Sequence, residues 1–133
     1  MKVALSDRLI SVLAYTTFGI FSLVWILYAN FTKKEMSLFL KFNIFQAIFI
    51  SIILYIISLL YEIAINFLSV VPFIDKIVTS FDIFFNETPI YSTLTLSGFL
   101  TTLLIIYLSI LCILGKKAYI PTISDIVQTN IRG

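Results

Sequence analysis

The sequence KFNIFQAIFI at residues 41–50 decides the fold, because it opens an apolar run with no charge before Glu62. The uncharged run is roughly 20 residues long, which is the length a helix needs to cross the hydrocarbon core of a bilayer. Its first turn carries two amides, Asn43 and Gln46, three positions apart and therefore on one helical face. An unpaired amide in lipid costs several kcal/mol. We therefore expect both side chains to face protein, water or the headgroup layer.

Two interpretations of these amides remain open. They form hydrogen bonds between helices near the membrane edge, or they line a polar site that faces a substrate. On the first interpretation, the expected partners at the same edge are Tyr28, Asn30 and Ser109.

Composition indicates an all-α integral membrane protein with a single polytopic domain over residues 1–133. The chain is 60% hydrophobic and 12% charged, with a mean hydropathy of +1.08, whereas soluble domains average about 45–50% apolar and about 25% charged residues. A net charge of +2 is too small to indicate a nucleic-acid partner. The sequence has no His and no nucleotide-binding or hydrolase motif. We therefore expect no enzyme activity, no catalytic, cofactor-binding or metal-binding residue, and no cofactor.

Three membrane spans are predicted, at about residues 9–31, 43–66 and 95–114. The first span contains Gly19, which leaves an alternative with four segments, in which residues 9–31 fold as a short hairpin. Each arm of such a hairpin would be only about 17 Å long. A turn inside the membrane would also leave backbone groups unpaired unless protein covered them. One span is the preferred prediction here.

Two further features lie outside the cores of the predicted spans. Residues 73–85 place Phe, Ile and Val at helical spacing opposite Asp, Lys, Thr and Ser, which predicts an amphipathic helix lying in the membrane interface. Ser97, Gly98 and Thr101 form a small-residue patch where another helix backbone approaches closely, or where a hydrophilic path is lined. The only cysteine, Cys112, lies in an apolar run and is predicted to act as a small hydrophobic residue.

Basic residues predict the orientation. Six of them share one side of the predicted bundle: Lys33, Lys34, Lys41, Lys116, Lys117 and Arg132. The positive-inside rule assigns that side to the cytoplasm, or to the stroma or matrix of an organelle. With three spans, however, Lys2 and Arg8 would lie on the opposite side. A first hairpin that does not span would remove this conflict.

Three segments in a fixed order resemble a known family: DRLISVLAY at residues 7–15, FLKFNIFQAI at 39–48 and IPTISD at 120–125. They are similar to segments of the Tic twenty-kilodalton family, small subunits of the chloroplast inner-envelope protein-import translocon with cyanobacterial and plastid-encoded relatives. The family motif has a basic residue, an aromatic, Asn, two variable positions and Gln-Ala-Ile. It matches Lys41, Phe42, Asn43, Gln46, Ala47 and Ile48, and the tail motif matches Pro121, Ile123 and Ser124.

The resemblance implies a membrane subunit that takes part in the passage of preproteins, in the plastid inner envelope or a cyanobacterial-type inner membrane. Its implied partners are other membrane subunits, translocating preproteins and the lipid bilayer. The family has four spans with both termini on one side, whereas the region before Lys33 has room for one full span or two shortened ones. The alternative function is a structural or assembly subunit of another membrane complex. The carried-over motif positions are Lys41, Asn43 and Gln46, and the resemblance gives them no chemical role.

Overall fold

The computed structural model describes residues 3–132, and most of these residues are helical. The elements are α1 (Leu5–Thr16), α2 (Ile20–Phe31), α3 (Leu38–Leu68), α4 (Pro72–Asp82), a π-helical turn (Ile83–Glu87), β1 (Pro89–Tyr91), β2 (Leu94–Thr95), α5 (Leu96–Ile113) and α6 (Ile123–Arg132). Within the described range, α3 and α5 are long and apolar enough to cross a membrane. The predicted helical class is therefore confirmed, and the second and third predicted spans correspond to α3 and α5.

The prediction of one helix over residues 9–31 is wrong. The chain breaks between α1 and α2, where Phe18 and Gly19 adopt left-handed backbone angles, with φ of 51° and 77°. Two consecutive left-handed residues end a right-handed helix. Each resulting helix has 12 residues and is about 18 Å long, which is too short to cross a hydrocarbon core of about 30 Å. The alternative of two shortened helices is the arrangement found.

Contacts along α3 show that α1 and α2 form a hairpin. Asp7 meets Ser37 just before α3, and the Gly19 backbone lies against Ala47 and Ser51 further along it, so α1 runs parallel to α3. If α2 continued in that direction, its end would lie about 33 Å from the start of α3. The connection from Thr32 to Ser37 reaches only about 20 Å. The second helix therefore turns back toward the start of α3.

The hairpin tip satisfies its own polar groups. The amide of Gly19 donates to the carbonyl of Ala14 at 2.9 Å, and the amide of Phe18 donates to that of Tyr15 at 3.1 Å. The Thr17 hydroxyl donates to the Leu13 carbonyl at 2.7 Å and accepts from the Phe21 amide at 3.2 Å. Irregular backbone at membrane depth is stable only with such internal pairing, so the objection to a turn at Gly19 does not apply here.

The described residues divide into two compact units. The first unit holds the chain up to Ile53 and from Ile105 onward, and it contains nearly all of the buried side chains. Its core lies along one half of α3, where Phe42, Ile44 and Ala47 are at most 3% exposed. The start of α3 is fixed by Ser37, whose hydroxyl accepts a hydrogen bond from the Leu40 amide at 3.2 Å, as expected of an N-cap.

The second unit, Leu54–Leu104, contains the predicted amphipathic segment. Here α4 begins at Pro72, a favoured first-turn residue, and its exposed apolar stripe consists of Phe73, Ile77 and Phe81. The helix ends at Asp82, earlier than the predicted 85, and the chain continues as the π-helical turn. Asp82 accepts hydrogen bonds from Tyr61 and Asn86, which fixes this turn to α3.

Gly19 is a position where a larger residue should destabilise the fold. An added Cβ would lie 2.8 Å from the Ser51 hydroxyl oxygen and 3.1 Å from the Ala47 carbonyl oxygen, on a backbone with φ of +77°. We expect Gly19→Ala to lower the free energy of unfolding by about 1–3 kcal/mol. Denaturant or thermal unfolding of the purified protein measures this change.

The matched control is Gly98→Ala. A Cβ there would meet nothing closer than 3.4 Å, and alanine favours helix over glycine. Equal stabilities for the two variants would contradict a tight turn at residue 19.

Candidate functional site

The candidate site is a set of buried polar side chains in the first unit, which we call the amide cluster: Tyr15, Asn43, Gln46, Cys112 and Ser124. These residues come from α1, α3, α5 and α6. Asn43 and Gln46 are 0% exposed. Their i,i+3 spacing puts them on the face of α3 that the other elements cover.

Asn43 joins three helices. Its side-chain oxygen Oδ1 accepts a hydrogen bond from the Tyr15 hydroxyl of α1 at 3.0 Å. The thiol of Cys112 in α5 lies 3.4 Å from the same oxygen and acts as a second, weaker donor. Its Nδ2 donates to the carbonyl of Phe39 at 2.9 Å, one turn earlier in α3. Both ends of the amide are therefore paired.

Gln46 holds the chain that follows α5. Its Nε2 donates to the carbonyl of Ala118 at 3.1 Å, and its Oε1 lies 3.3 Å from the hydroxyl of Ser124. That hydroxyl oxygen also accepts from the Ile120 amide at 2.7 Å. Ala118 is 0% exposed and lies outside any helix or strand, so its carbonyl needs a side-chain partner. Gln46 supplies the shorter such contact, and the Ser124 hydroxyl lies 3.4 Å from the same carbonyl oxygen.

The partners expected for the two amides are wrong. Tyr28 is 49% exposed and Asn30 is exposed, and the Ser109 hydroxyl is buried without a partner among the described residues. The prediction failed because it treated residues 9–31 as one span, whose end would bring Tyr28 and Asn30 to the same membrane edge as the two amides. In the structure, α1 lies beside α3, and the tail after α5 returns to it.

A second set of contacts closes the same end of the unit. The guanidinium of Arg8 donates through Nη1 to the carbonyl of Ile113 at 3.1 Å, where the last turn of α5 has carbonyls without helical partners. The chain then turns at Gly115, which has φ of +70° and leaves space for Arg8, because an added Cβ would lie 3.0 Å from Nη2. Asp7 accepts from the Ser37 hydroxyl. Arg8 and Asp7 thus tie α1 to the ends of two other helices.

Six cationic residues lie in or directly beside the segments that make these contacts, and we call them the basic edge: Arg8, Lys33, Lys34, Lys41, Lys116 and Lys117. The Lys34 ammonium lies 5.6 Å from the Trp25 ring centroid, and the Lys117 ammonium lies 5.2 Å from that of Phe42. Both distances fit cation–π contacts. Lys41, a predicted motif residue, is half-buried at the beginning of α3 and is not one of the hydrogen-bonding residues of the amide cluster.

The tail beyond α5 is braced locally. The Tyr119 hydroxyl donates to both carboxylate oxygens of Asp125, at 3.1 and 3.0 Å. This hydrogen bond to a carboxylate raises the pKa of the Tyr119 phenol above its usual value of 10.0. The contact spans the turn that leads into α6.

The small-residue patch lies in the second unit, and its hydrogen bonds are local. Thr101 donates to the carbonyl of Ser97 at 3.0 Å, and the amide of Gly98 donates to the hydroxyl of Thr95 at 3.3 Å, which caps the start of α5. The hydroxyls of Thr95 and Ser97 are 3.2 Å apart. These groups are satisfied within the first turns of α5, and Ser97, Gly98 and Thr101 are each half-exposed.

Sequence reasoning missed Tyr15, Cys112 and Ser124 as partners of the amides. Tyr15 and Ser124 lie inside segments 7–15 and 120–125, which resemble the same family in a fixed order along the chain. This shared resemblance was the sequence signal that could have indicated contact between the segments. Cys112 had no such signal, because a buried cysteine in an apolar run needs no partner.

The cluster is suited to fastening helices. Its amides carry no ionisable proton, and within residues 3–132 no group of three or more His, Cys, Asp or Glu side chains could hold a metal ion. Comparisons with protein-family models, with curated proteins and with solved structures gave no match for this chain.

Removing the Gln46 amide should weaken the first unit. In Gln46→Leu the buried carbonyl of Ala118 and the hydroxyl of Ser124 lose a partner, at a cost of about 1–3 kcal/mol. Thermal unfolding in detergent should show the loss, and limited proteolysis should cut earlier within residues 116–122.

Gln128→Leu is the control, because it makes the same chemical change at a half-exposed position of α6. Unchanged stability in Gln46→Leu would show that the amide does not fasten the tail.

Proposed function

We propose that this chain is a membrane-embedded subunit of a protein-translocation complex, of the type that its resemblance to the Tic twenty-kilodalton family implies. Its proposed partners are other membrane subunits and preproteins in transit. The proposed location is the plastid inner envelope or a cyanobacterial-type inner membrane. The proposal concerns a subunit that supports passage and carries out no chemistry of its own.

One observation carries the proposal: the three resembling segments meet in space. Segment 7–15 reaches 39–48 through Tyr15 and Asn43, and segment 120–125 reaches it through Ser124 and Gln46. The pairs are separated by 28 and 78 positions in the chain. Segments that matched the family only in amino-acid composition would not be expected to contact one another through the motif side chains. Their convergence supports reading the ordered set as one structural signature.

Charge and length support the proposed membrane placement. The uncharged part of α3 extends from Phe42 to Tyr61 and is about 30 Å long, enough to cross the hydrocarbon core. The first unit has six described cationic side chains and three acidic ones, whereas the second has Lys76 and four acidic ones. The positive-inside rule then assigns the basic edge to the cytoplasm or stroma.

In this placement the hairpin of α1 and α2 is re-entrant. It enters from the basic side, turns at Gly19 beside Ala47 and Ser51, and returns to the same side. The tip lies about 10–15 Å inside the membrane edge at Lys41. Arg8 and the lysines of the 32–37 connector then share one side, which removes the charge conflict of a three-span topology.

The two units, each taken by itself, differ in how much of their apolar surface is covered. Hydrogen bonds fasten the first unit, while the continuation of α3 exposes large apolar residues such as Tyr55, Leu60 and Ile63. Such faces meet lipid or neighbouring helices in a membrane complex. These exposed apolar faces fit the second candidate equally well, which is an assembly subunit that binds its partner subunits permanently and does not bind a preprotein.

Cysteine labelling tests the placement. In a Cys112→Ala background, Ser6→Cys, Lys34→Cys and Lys117→Cys should react with an impermeant maleimide from one side of sealed vesicles. Lys76→Cys should react only from the other side. Ser6→Cys distinguishes the two topologies, because a single span over residues 9–31 would put residue 6 and Lys34 on opposite sides of the membrane. Labelling of Ser6→Cys and Lys34→Cys from opposite sides would rule out the re-entrant hairpin.

Co-purification tests the translocation role. A precursor arrested in transit by a tightly folded passenger should be recovered with the tagged chain. The same passenger without its targeting sequence should not be recovered. A constant stoichiometric complex that never contains the arrested precursor would favour the assembly subunit and overturn the translocation role.

A further inference from the structure

A groove between α3 and the tail contains two adjacent cavities in the first unit. The first, of about 60 Å³, is lined by Leu38, Phe42, Lys117, Gln128 and Ile131. The second, of about 30 Å³, is lined by Phe45, Phe49, Val127, Asn130 and Ile131. Ile131 lines both, so the cavities follow one another along the groove. Each exceeds the roughly 10–15 Å³ that one water molecule needs.

The groove is polar at one end and apolar at the other. The Lys117 ammonium and the Gln128 amide lie at the first cavity. At the second, the amide nitrogen of Asn130 is already bonded to the carbonyl of Ile126 at 2.8 Å, and the remaining lining side chains are apolar. Positive charge at the mouth and hydrocarbon walls beyond it match an amphiphile with an anionic head.

The groove extends from the membrane edge into one leaflet. Leu38, Phe42, Phe45 and Phe49 follow one face of α3 at helical spacing, and the part from Phe42 to Phe49 is about 10 Å long. This length lies within the hydrocarbon half of one leaflet, which is about 15 Å thick. Phe42 marks the membrane edge in the proposed placement, so the cationic end lies at headgroup depth and the aromatic stripe at acyl-chain depth.

We propose that this groove binds one anionic phospholipid of the basic-side leaflet, with its phosphate at Lys117 and an acyl chain along Phe45 and Phe49. Clusters of basic residues beside spanning helices bind anionic headgroups in this way. The inference rests on the membrane placement proposed above and is independent of the translocation role.

Native mass spectrometry of the full-length, delipidated protein in detergent tests the site, with phosphatidylglycerol and phosphatidylcholine as probes. The first phosphatidylglycerol should bind more tightly than the first phosphatidylcholine. Lys117→Gln should weaken that first phosphatidylglycerol about fivefold, the contribution of one basic residue near an anionic surface. The control Lys116→Gln removes the neighbouring exposed charge, which does not line the groove, and should have a smaller effect.

A second variant, Ile131→Trp, fills the groove without changing the charge, and should remove the tight phosphatidylglycerol site while thermal unfolding verifies the fold. Equal losses in Lys116→Gln and Lys117→Gln would mean a diffuse surface charge and would overturn the site. Displacement of the lipid by inorganic phosphate alone would equally overturn it. If Ile131→Trp leaves lipid binding intact and instead alters the oligomeric state, the lipid site is overturned, and a second copy of the chain occupies the groove. Failure of these tests with the labelling pattern intact would leave the membrane placement standing.

Discussion

Two amide side chains inside an apolar helix must find hydrogen-bond partners, because neither lipid nor a hydrocarbon core offers any. Asn43 and Gln46 meet this requirement with different elements. Asn43 takes a hydroxyl from α1 and a thiol from α5, and Gln46 takes the backbone and a hydroxyl from the tail. The packing of the first unit depends on these two residues, since together they bind four separate parts of the chain to one half of α3.

The same requirement governs the backbone. The chain leaves regular structure at the tip of the first hairpin and again between α5 and α6. At the tip, local amides and the Thr17 hydroxyl complete the pairing. After α5, Arg8 pairs the last helical carbonyl and Gln46 pairs Ala118. Arg8, Thr17 and Gln46 are therefore placed where the backbone lacks a regular partner.

In the proposed membrane placement, charge explains why the hairpin returns to its own side. Arg8 lies near the beginning of α1, and Lys33 and Lys34 follow α2. A single span would separate these cations across the membrane against the positive-inside rule. The turn at Gly19 keeps them together at the basic edge, and its cost in irregular backbone is offset by the internal hydrogen bonds of the tip. The proposed lipid groove opens at this edge, where the tail adds its own lysines.

By itself, the sequence determined the helical class, the positions of α3 and α5, the amphipathic α4 and the common face of Asn43 and Gln46. Each of these follows from local length, hydropathy or helical periodicity, which neighbouring residues express directly. It also exposed a charge conflict at Arg8 that pointed to a hairpin without deciding for it. Only the tertiary structure decided the break at Gly19, because a left-handed turn there depends on close approach to Ala47 and Ser51. It alone identified Tyr15, Cys112 and Ser124 as the partners of the amides. These hydrogen bonds join residues that are 28 to 78 positions apart in the sequence, and they depend on how the helices pack. The spacing of residues along one helix does not indicate that packing.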